Sequence, residues 1–350
     1  MGTKIGKLIS KSRHEIEIQE LAGKKIGFDA YNIIYAFLAR IRDQSSGGTY
    51  FTDSNGNVTS HLSGIFYRLT NLLAYNIKPV FIFDGKPPSF KMAEIEERKK
   101  KKEEAALKQA EAIAKGDMIG AMKYAQATSS ITPTMIEDAK RLLEYFGVPI
   151  VQAAAEAEAQ GAKLVELGHL HSMTSQDYDS FLFGSKSVIR NLAISQRRKV
   201  PNQQRWIDVP PEKISLVDIL SELRLKDRDQ LIMLGLLIGT DYNPKGIKGV
   251  GPITALKLVH QYPTPTALFD YLDVKYDLKE VFPYPPNTLL EYFLSPELNN
   301  DCEMKFSKPD PEKITEFLVE ERDFQSSRIK RQLDMLRQKS SQKTLDKFFG

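Results

Sequence analysis

The stretch "PVFIFDGKPP", residues 79–88, runs four apolar residues into Asp84 and then breaks on Gly85, Pro87 and Pro88. A strand without polar alternation is buried on both faces, which is the habit of parallel sheets covered by helices. Asp84 then stands at the C-terminal end of the strand. In open α/β sheets that edge binds ligands, because loops leave the strands there. The prolines stop the strand and stiffen its exit. One carboxylate at such a place carries little by itself, so its meaning depends on whether others converge on it.

Working outward, "KKIGFDAYNIIYAFLARI" (24–41) is a strand ending on Asp29 followed by a helix with apolar residues at helical spacing. Residues 42–60, rich in Gly, Ser, Asn and Asp, form a long loop before a helix that begins near Ser60. From Ser89 to Lys115 there is no Gly or Pro, and Glu, Lys and Ala dominate, which predicts a long solvated helix. A helix stopped by Gly147, a strand, the helix "AAAEAEAQGAKLVELG" (153–168) and the strand with its exit "HSMTSQDYDSFLFG" (171–184) follow. Strands alternating with helices give an α/β domain with a mostly parallel central sheet flanked by helices.

The chain has 350 residues, 41% of them apolar and 27% charged, as in an ordinary globular protein. No run of about 18 apolar residues marks a membrane span, and no membrane partner is expected. The start "MGTKIGKLIS" lacks the apolar core of a secretory signal, and Gly6 stands where a myristoylation motif has Ser or Thr. Cys302 is the single cysteine. It excludes internal disulfides and thiolate zinc clusters, fits a reducing compartment, and leaves carboxylates as the candidate metal ligands. The net charge of +4 suits a polyanionic partner without demanding one.

Carboxylates accumulate at element ends: Asp29, Asp84, Glu156, Glu158, Asp177, Asp179, and Asp241 after the apolar helix "LIMLGLLIGT" (231–240). Residues two apart point about 200° apart on a helix, so Glu156 and Glu158 converge only if Glu156 sits at the helix entrance. Each acid taken singly also reads as an N-cap or a turn carboxylate. Gathered on one edge, seven would repel severely without cations. Hard divalent ions with oxygen ligands answer that repulsion, and the chemistry implied is two-metal phosphodiester hydrolysis.

"FDGKPP" (83–88), "AEAEA" (155–159), "SQDYD" (175–179) and "GTDYNPKGIKGVGP" (239–252), in this order, resemble the segments of flap endonucleases, the structure-specific 5′ nucleases of replication and repair. The likeness extends from about Lys4 to the C-terminus. It implies a PIN-like 5′-nuclease fold with a single nuclease domain over 1–330, a helical arch over about 88–130, a helix-hairpin-helix over about 228–262 and a flexible tail over 331–350. It further implies 5′-flap incision, with 5′–3′ exonuclease activity, in Okazaki-fragment maturation and DNA repair. Asp29, Asp84, Glu156 and Glu158 would hold one metal, and Asp177, Asp179 and Asp241 would hold or steer a second. Two Mg²⁺ ions are expected, with Mn²⁺ as a substitute. One departure is visible, since Ala154 and Ala155 stand where the family commonly has Pro and Ser. It bears on the positioning of Glu156.

Beyond Pro88, Lys91, Arg98 and Lys102 share one helical face within about 20°. Neighbouring glutamates allow a plain solvated helix, but a helix leaving directly from Asp84 carries its first basic residues over the acids, where they can clamp a phosphate. By the resemblance, Lys91 and Arg98 are the catalytic basic pair, and Tyr35 is an aromatic that stacks on a base; on sequence alone Tyr35 reads as a core or rim residue, as helical aromatics usually are. Arg42, Arg68 and Lys102 are further candidate DNA contacts. "GIKGVGPITALKLV" (246–259) fits a helix-hairpin-helix in which Gly249 and Gly251 let backbone N–H groups approach a phosphate, against a plain Gly-Pro turn between helices. In the family that hairpin also binds K⁺. "NLAISQRRKVPNQQRW" (191–206) is a basic hairpin candidate or a solvated turn.

The end of the chain, "RQKSSQKTLDKFFG" (337–350), is polar until Gln342, Leu345, Phe348 and Phe349, which resemble the peptide bound by sliding clamps of the proliferating-cell-nuclear-antigen type. Eukaryotic relatives continue past it with a basic targeting tail, whereas this chain stops at Gly350, which points to an archaeal-type, cytoplasmic protein acting as a monomer on branched DNA. Two other classes remain open at this level. "DYDS" (177–180) is a near miss for the nucleophile motif of a haloacid-dehalogenase-like phosphatase, a reading that leaves Asp29, Asp84 and the glycine hairpin unexplained. A noncatalytic, clamp-tethered DNA-binding scaffold would leave all seven acids without a task.

Overall fold

The apolar runs become the strands of one seven-stranded sheet. The computed structural model describes residues 3–43, 46, 48–193, 197–199 and 205–349, with the side chains at 90, 93, 94, 126, 197–199, 206, 279, 280 and 340–349 outside the described set. In chain order come β1 (His14–Glu15), β2 (Lys25–Asp29), α1 (Ala30–Arg40), an antiparallel ribbon of β3 (Arg42–Asp43) and β4 (Thr49–Tyr50), α2 (Ser60–Ala74) and β5 (Lys78–Phe83). A 3₁₀ turn at Ser89–Lys91 leads into the arch helices α3 (Met92–Ala114) and α4 (Met118–Ala125). Then follow α5 (Pro133–Tyr145), β6 (Ile150–Gln152), α6 (Ala157–Glu166), β7 (Ser172–Thr174), α7 (Asp179–Leu182) and β8 (Ser187–Arg190). The basic hairpin candidate is an antiparallel pair, β9 (Arg197–Lys199) with β10 (Trp206–Asp208), and β11 (Glu212–Ser215) returns to the main sheet. The remainder is helical: α8 (Leu216–Leu223), α9 (Arg228–Ile238), α10 (Pro252–Gln261), α11 (Pro265–Lys275), α12 (Leu278–Val281), α13 (Pro286–Leu294), α14 (Pro311–Thr315) and α15 (Ser326–Phe349).

The strand order is β1-β11-β8-β7-β2-β5-β6. From β8 to β6 every pairing is parallel, while β11 and β1 extend the sheet antiparallel. Alternate side chains divide between two faces, as strand geometry requires. Ile26 and Phe28 of β2 and Phe81 and Phe83 of β5 enter one core with α1, α2 and α5, where the Phe28 and Phe81 rings stack at 5.4 Å. Val80, Ile82 and Met173 face the other way, towards α6. A third cluster gathers α9, α10, α11 and α13 around Phe181, Val188 and Ile214. Each fully buried Leu, Ile or Phe contributes about 1.5–3 kcal/mol, so β2 and β5, covered on both sides, are the best-anchored strands.

The segment 331–350, expected as a flexible tail, is helical through Phe349. Between 326 and 349 there is no Gly or Pro, and Lys, Arg, Gln and Leu favour helix. The first turns also have a core to dock on, since Ile329 and Leu336 are buried beside α2. Polar composition alone concealed that anchoring. The clamp-motif side chains of Gln342, Leu345, Phe348 and Phe349 lie outside the described residues. Among the described residues no helix is long and apolar enough to cross a membrane.

Candidate active site

Parallel neighbours end on the same side of a sheet, so β7, β2, β5 and β6 deliver their exits to one edge. Asp29 is the last residue of β2 and the N-cap of α1, where it accepts the Asn32 N–H at 2.9 Å. Here the capping role and a place at the edge coincide. Asp84 follows β5. Glu156 is the N-cap residue of α6 and Glu158 lies in its first turn, the placement that lets the two converge. Asp177 follows β7, Asp179 opens α7, and Asp241 follows α9. All seven carboxylates, with Tyr35, Lys91, Arg98 and Lys102, line one cavity of about 480 Å³.

Gly85 explains how two distant segments meet there. Its N–H donates to the Ala155 carbonyl at 2.7 Å, and an ideal Cβ would lie 2.2 Å from the Ala154 carbonyl oxygen, so only glycine admits this approach. The contact brings Asp84 against the start of α6, where its Oδ1 accepts the Ala157 N–H at 2.7 Å.

Burial, and secondarily Asp84, pushes the Asp29 carboxyl up to about 7. Burial also raises Asp84, raises Glu158 well above the usual carboxylate range with Asp179 adding to it, and lifts Asp179 to about 6 against the Thr3 hydrogen bonds. Such buried acids call for positive charge. Lys91 provides some of it: its ammonium pairs with Glu156 Oε1 and lies 3.8 Å from Asp241 Oδ2. Burial disfavours that ammonium, but Glu156 and Asp241 outweigh it and hold Lys91 charged. Arg98 Nη2 reaches Asp241 Oδ2 at 3.1 Å, and Lys102 Nζ sits 4.9 Å from the centre of the Tyr35 ring.

The cavity is lined by carboxylate oxygens with no His or Cys, a donor set that fits a hard divalent cation and not zinc or copper. Among the described residues no three acids are already gathered tightly enough to hold an ion, and the Lys91 and Arg98 charges pair with Glu156 and Asp241.

Two candidate DNA contacts, Arg42 and Arg68, have donors turned into the protein. The Arg42 guanidinium is engaged within the protein: Nε donates to the Leu38 carbonyl at 2.8 Å, Nη1 to the Gly48 carbonyl at 2.8 Å and Nη2 to Ser129 Oγ at 2.9 Å, with the guanidinium over Tyr50. It fastens the end of α1 to the β3–β4 ribbon. Arg68 has Nε and Nη2 buried in the body of α2, and burial pushes its guanidinium down to about 10. A basic residue at helical spacing cannot reveal from sequence which way its donors turn. By contrast Gly249 and Gly251 are exposed in the turn between α9 and α10, where a Cβ at either would meet nothing within 4 Å.

Sequence reasoning missed Thr3, whose N–H donates to Asp179 Oδ1 at 2.7 Å and whose hydroxyl bonds to the same oxygen. It also missed Tyr242 and Tyr292, whose hydroxyls both donate to Glu156 Oε2. Tyr242 stands beside Asp241, which was the one available signal.

Comparison with known proteins gives a consistent picture. The XPG N-terminal domain matches residues 1–105 and the XPG I-region residues 147–241. Flap endonuclease 1 of Caldivirga maquilingensis is 46% identical over 354 residues, covering 99% of both chains. That of Pyrococcus abyssi is 46% identical, covering 100% of this chain and 98% of its own. Among solved structures, flap endonuclease-1 from Methanococcus jannaschii matches with a TM-score of 0.72 at 34% identity, covering 98% of this chain and 100% of that one. The catalytic core of Rad2 in complex with a DNA substrate matches in fold, with a TM-score of 0.70 at 24% identity over 96% of this chain and 100% of that one.

Proposed function

The chain belongs to the flap endonuclease family, and on that premise we propose that its seven clustered carboxylates hold two divalent cations for phosphodiester hydrolysis. The protein is a structure-specific 5′ flap nuclease acting on branched DNA, and neither a phosphatase nor an inert scaffold is favoured. The observation that carries the metal reading is the convergence of acids from separate strands and helices on one cavity, beneath basic residues of the arch.

Asp29, Asp84, Glu156 and Glu158 would hold one ion, and Asp177, Asp179 and Asp241 would hold or steer the other. When bound, Mg²⁺, or Mn²⁺ in its place, supplies an activated water and stabilises the leaving oxygen. The chain's own groups do the rest. Lys91 and Arg98, now paired with Glu156 and Asp241, transfer to the scissile phosphate as its charge rises. Tyr35, with Lys102 over its ring, offers a face for stacking a base. Exposed N–H groups around Gly249 and Gly251 take a duplex phosphate without reading sequence, with K⁺ as a companion ion. The C-terminal residues Gln342, Leu345, Phe348 and Phe349 dock a sliding clamp, and the nuclease acts as a monomer with a 5′–3′ exonuclease activity at nicks.

End-labelled 5′-flap, nicked and single-stranded DNA, each incubated with and without Mg²⁺, tests the reading. Incision near the flap junction should require Mg²⁺ and vanish in Asp179→Ala, while that variant still binds flap DNA in Ca²⁺. Cutting that persists in EDTA, or in Asp179→Ala, would overturn the metal assignment.

A further inference from the structure

Glu156 follows Ala154 and Ala155, a backbone that does little to aim its side chain. It occupies the N-cap of α6, where a polar side chain ordinarily turns back onto the free amides of the first turn. It makes no such bond, and the amide of Ala157 is satisfied by Asp84 instead. The carboxylate is drawn away from its own helix: Oε1 faces the Lys91 ammonium, while Oε2 accepts from the hydroxyls of Tyr242 and, at 2.9 Å, Tyr292. Tyr292 lies on α13, is 136 residues away in sequence, and is absent from the cavity lining. Its ring is fixed edge-on against Tyr242 at 5.2 Å and Phe183 at 5.9 Å, so packing sets where the hydroxyl points.

We propose that Tyr292 is a positioning residue for the nuclease centre: its hydroxyl, together with that of Tyr242, holds Oε2 of Glu156 and leaves Oε1 as the oxygen presented to a cation. The Lys91 ammonium already marks Oε1 as the cation-facing oxygen. Groups that orient a metal-binding carboxylate through its second oxygen govern affinity nearly as strongly as the ligand itself. The inference rests on Glu156 being a metal ligand, as proposed above.

Tyr292→Phe removes the hydroxyl and keeps the ring. Mn²⁺ binding to the full chain, followed by electron paramagnetic resonance, should weaken about tenfold, and the Mg²⁺ needed for half-maximal incision should rise in step. Flap-DNA affinity in EDTA and the melting temperature should match the parent. In a Glu156→Gln background, adding Tyr292→Phe should change Mn²⁺ affinity no further, since the acceptor's role is already lost. An unchanged affinity in the single variant, or the same loss in both backgrounds, would overturn the positioning role. Parent-like Mn²⁺ binding by Glu156→Gln alone would overturn the ligand assignment itself, and this proposal with it.

Discussion

Lys91 is the residue on which opposite demands meet. Its ammonium balances Glu156 and Asp241, the same acids expected to take metal, so metal and DNA together must draw it towards phosphate. Lys91→Ala should therefore lower the single-turnover incision rate at least about tenfold while flap-DNA affinity changes little, as for a group acting mainly on the transition state. Equal losses in rate and binding would reduce it to a docking residue. His61 makes a different prediction, about stability. It is 0% exposed in α2, and burial pushes its imidazole down to about 4, against the pull of Asp138 and with Arg322 adding to the fall. The unfolded chain takes up this proton near pH 6.5, the folded protein only near 4. The stability involved is whole above the unfolded value and is lost as pH falls through that window, by up to about 1.4 kcal/mol per pH unit. Melting temperatures between pH 7 and 4.5 should fall less steeply in His61→Leu; parallel curves would clear His61. Among single residues, the acids were legible because they stand at element ends, most of them next to apolar runs. Thr3, Tyr242 and Tyr292 were not, since a hydroxyl that meets a carboxylate 86 or more residues away leaves no local pattern.

At the scale of elements, the central strands were readable from their unbroken apolar runs and α3 from the absence of Gly and Pro between Ser89 and Lys115. The antiparallel extension was not: β1 and β11 are two and four residues long and carry charged side chains, so nothing in them signals a sheet. The α9–α10 hairpin was legible through its glycines, and those glycines allow a clean test. Gly249 has φ +84°, whereas Gly251 has φ −82°, and neither Cβ position is crowded. Alanine at Gly249 is strained by about 1 kcal/mol, and alanine at Gly251 is not. Both substitutions should weaken duplex binding measured by fluorescence anisotropy, but only Gly249→Ala should lower the melting temperature. Parent-like binding by Gly251→Ala would mean that this backbone does not approach phosphate.

For the whole molecule, the net charge of +4 is too small to bind DNA by bulk attraction, so local placement of basic groups must do it. The clamp contact proposed for the C-terminus would add reach in another way. Phe348 and Phe349 are far in sequence from every acid of the cavity, and aromatic anchors of this kind typically carry a few kcal/mol of an interface. Replacing both by Ala should abolish calorimetric binding to a sliding clamp and its stimulation of cleavage, while incision of a free flap survives; a double variant that still responds to the clamp would place the contact elsewhere. The dispersal of the acids along the chain has a consequence in time. Strand β2 is made early, yet its neighbour β7 follows more than a hundred residues later, and the last acid is not added to the chain until residue 241. Tyr292 and the buried Ile329 of α15 come later still. A nascent or prematurely ended chain thus lacks some of the acid set or the helices packed beside it, so on the proposed metal reading an unfinished copy should not cut nucleic acid nearby.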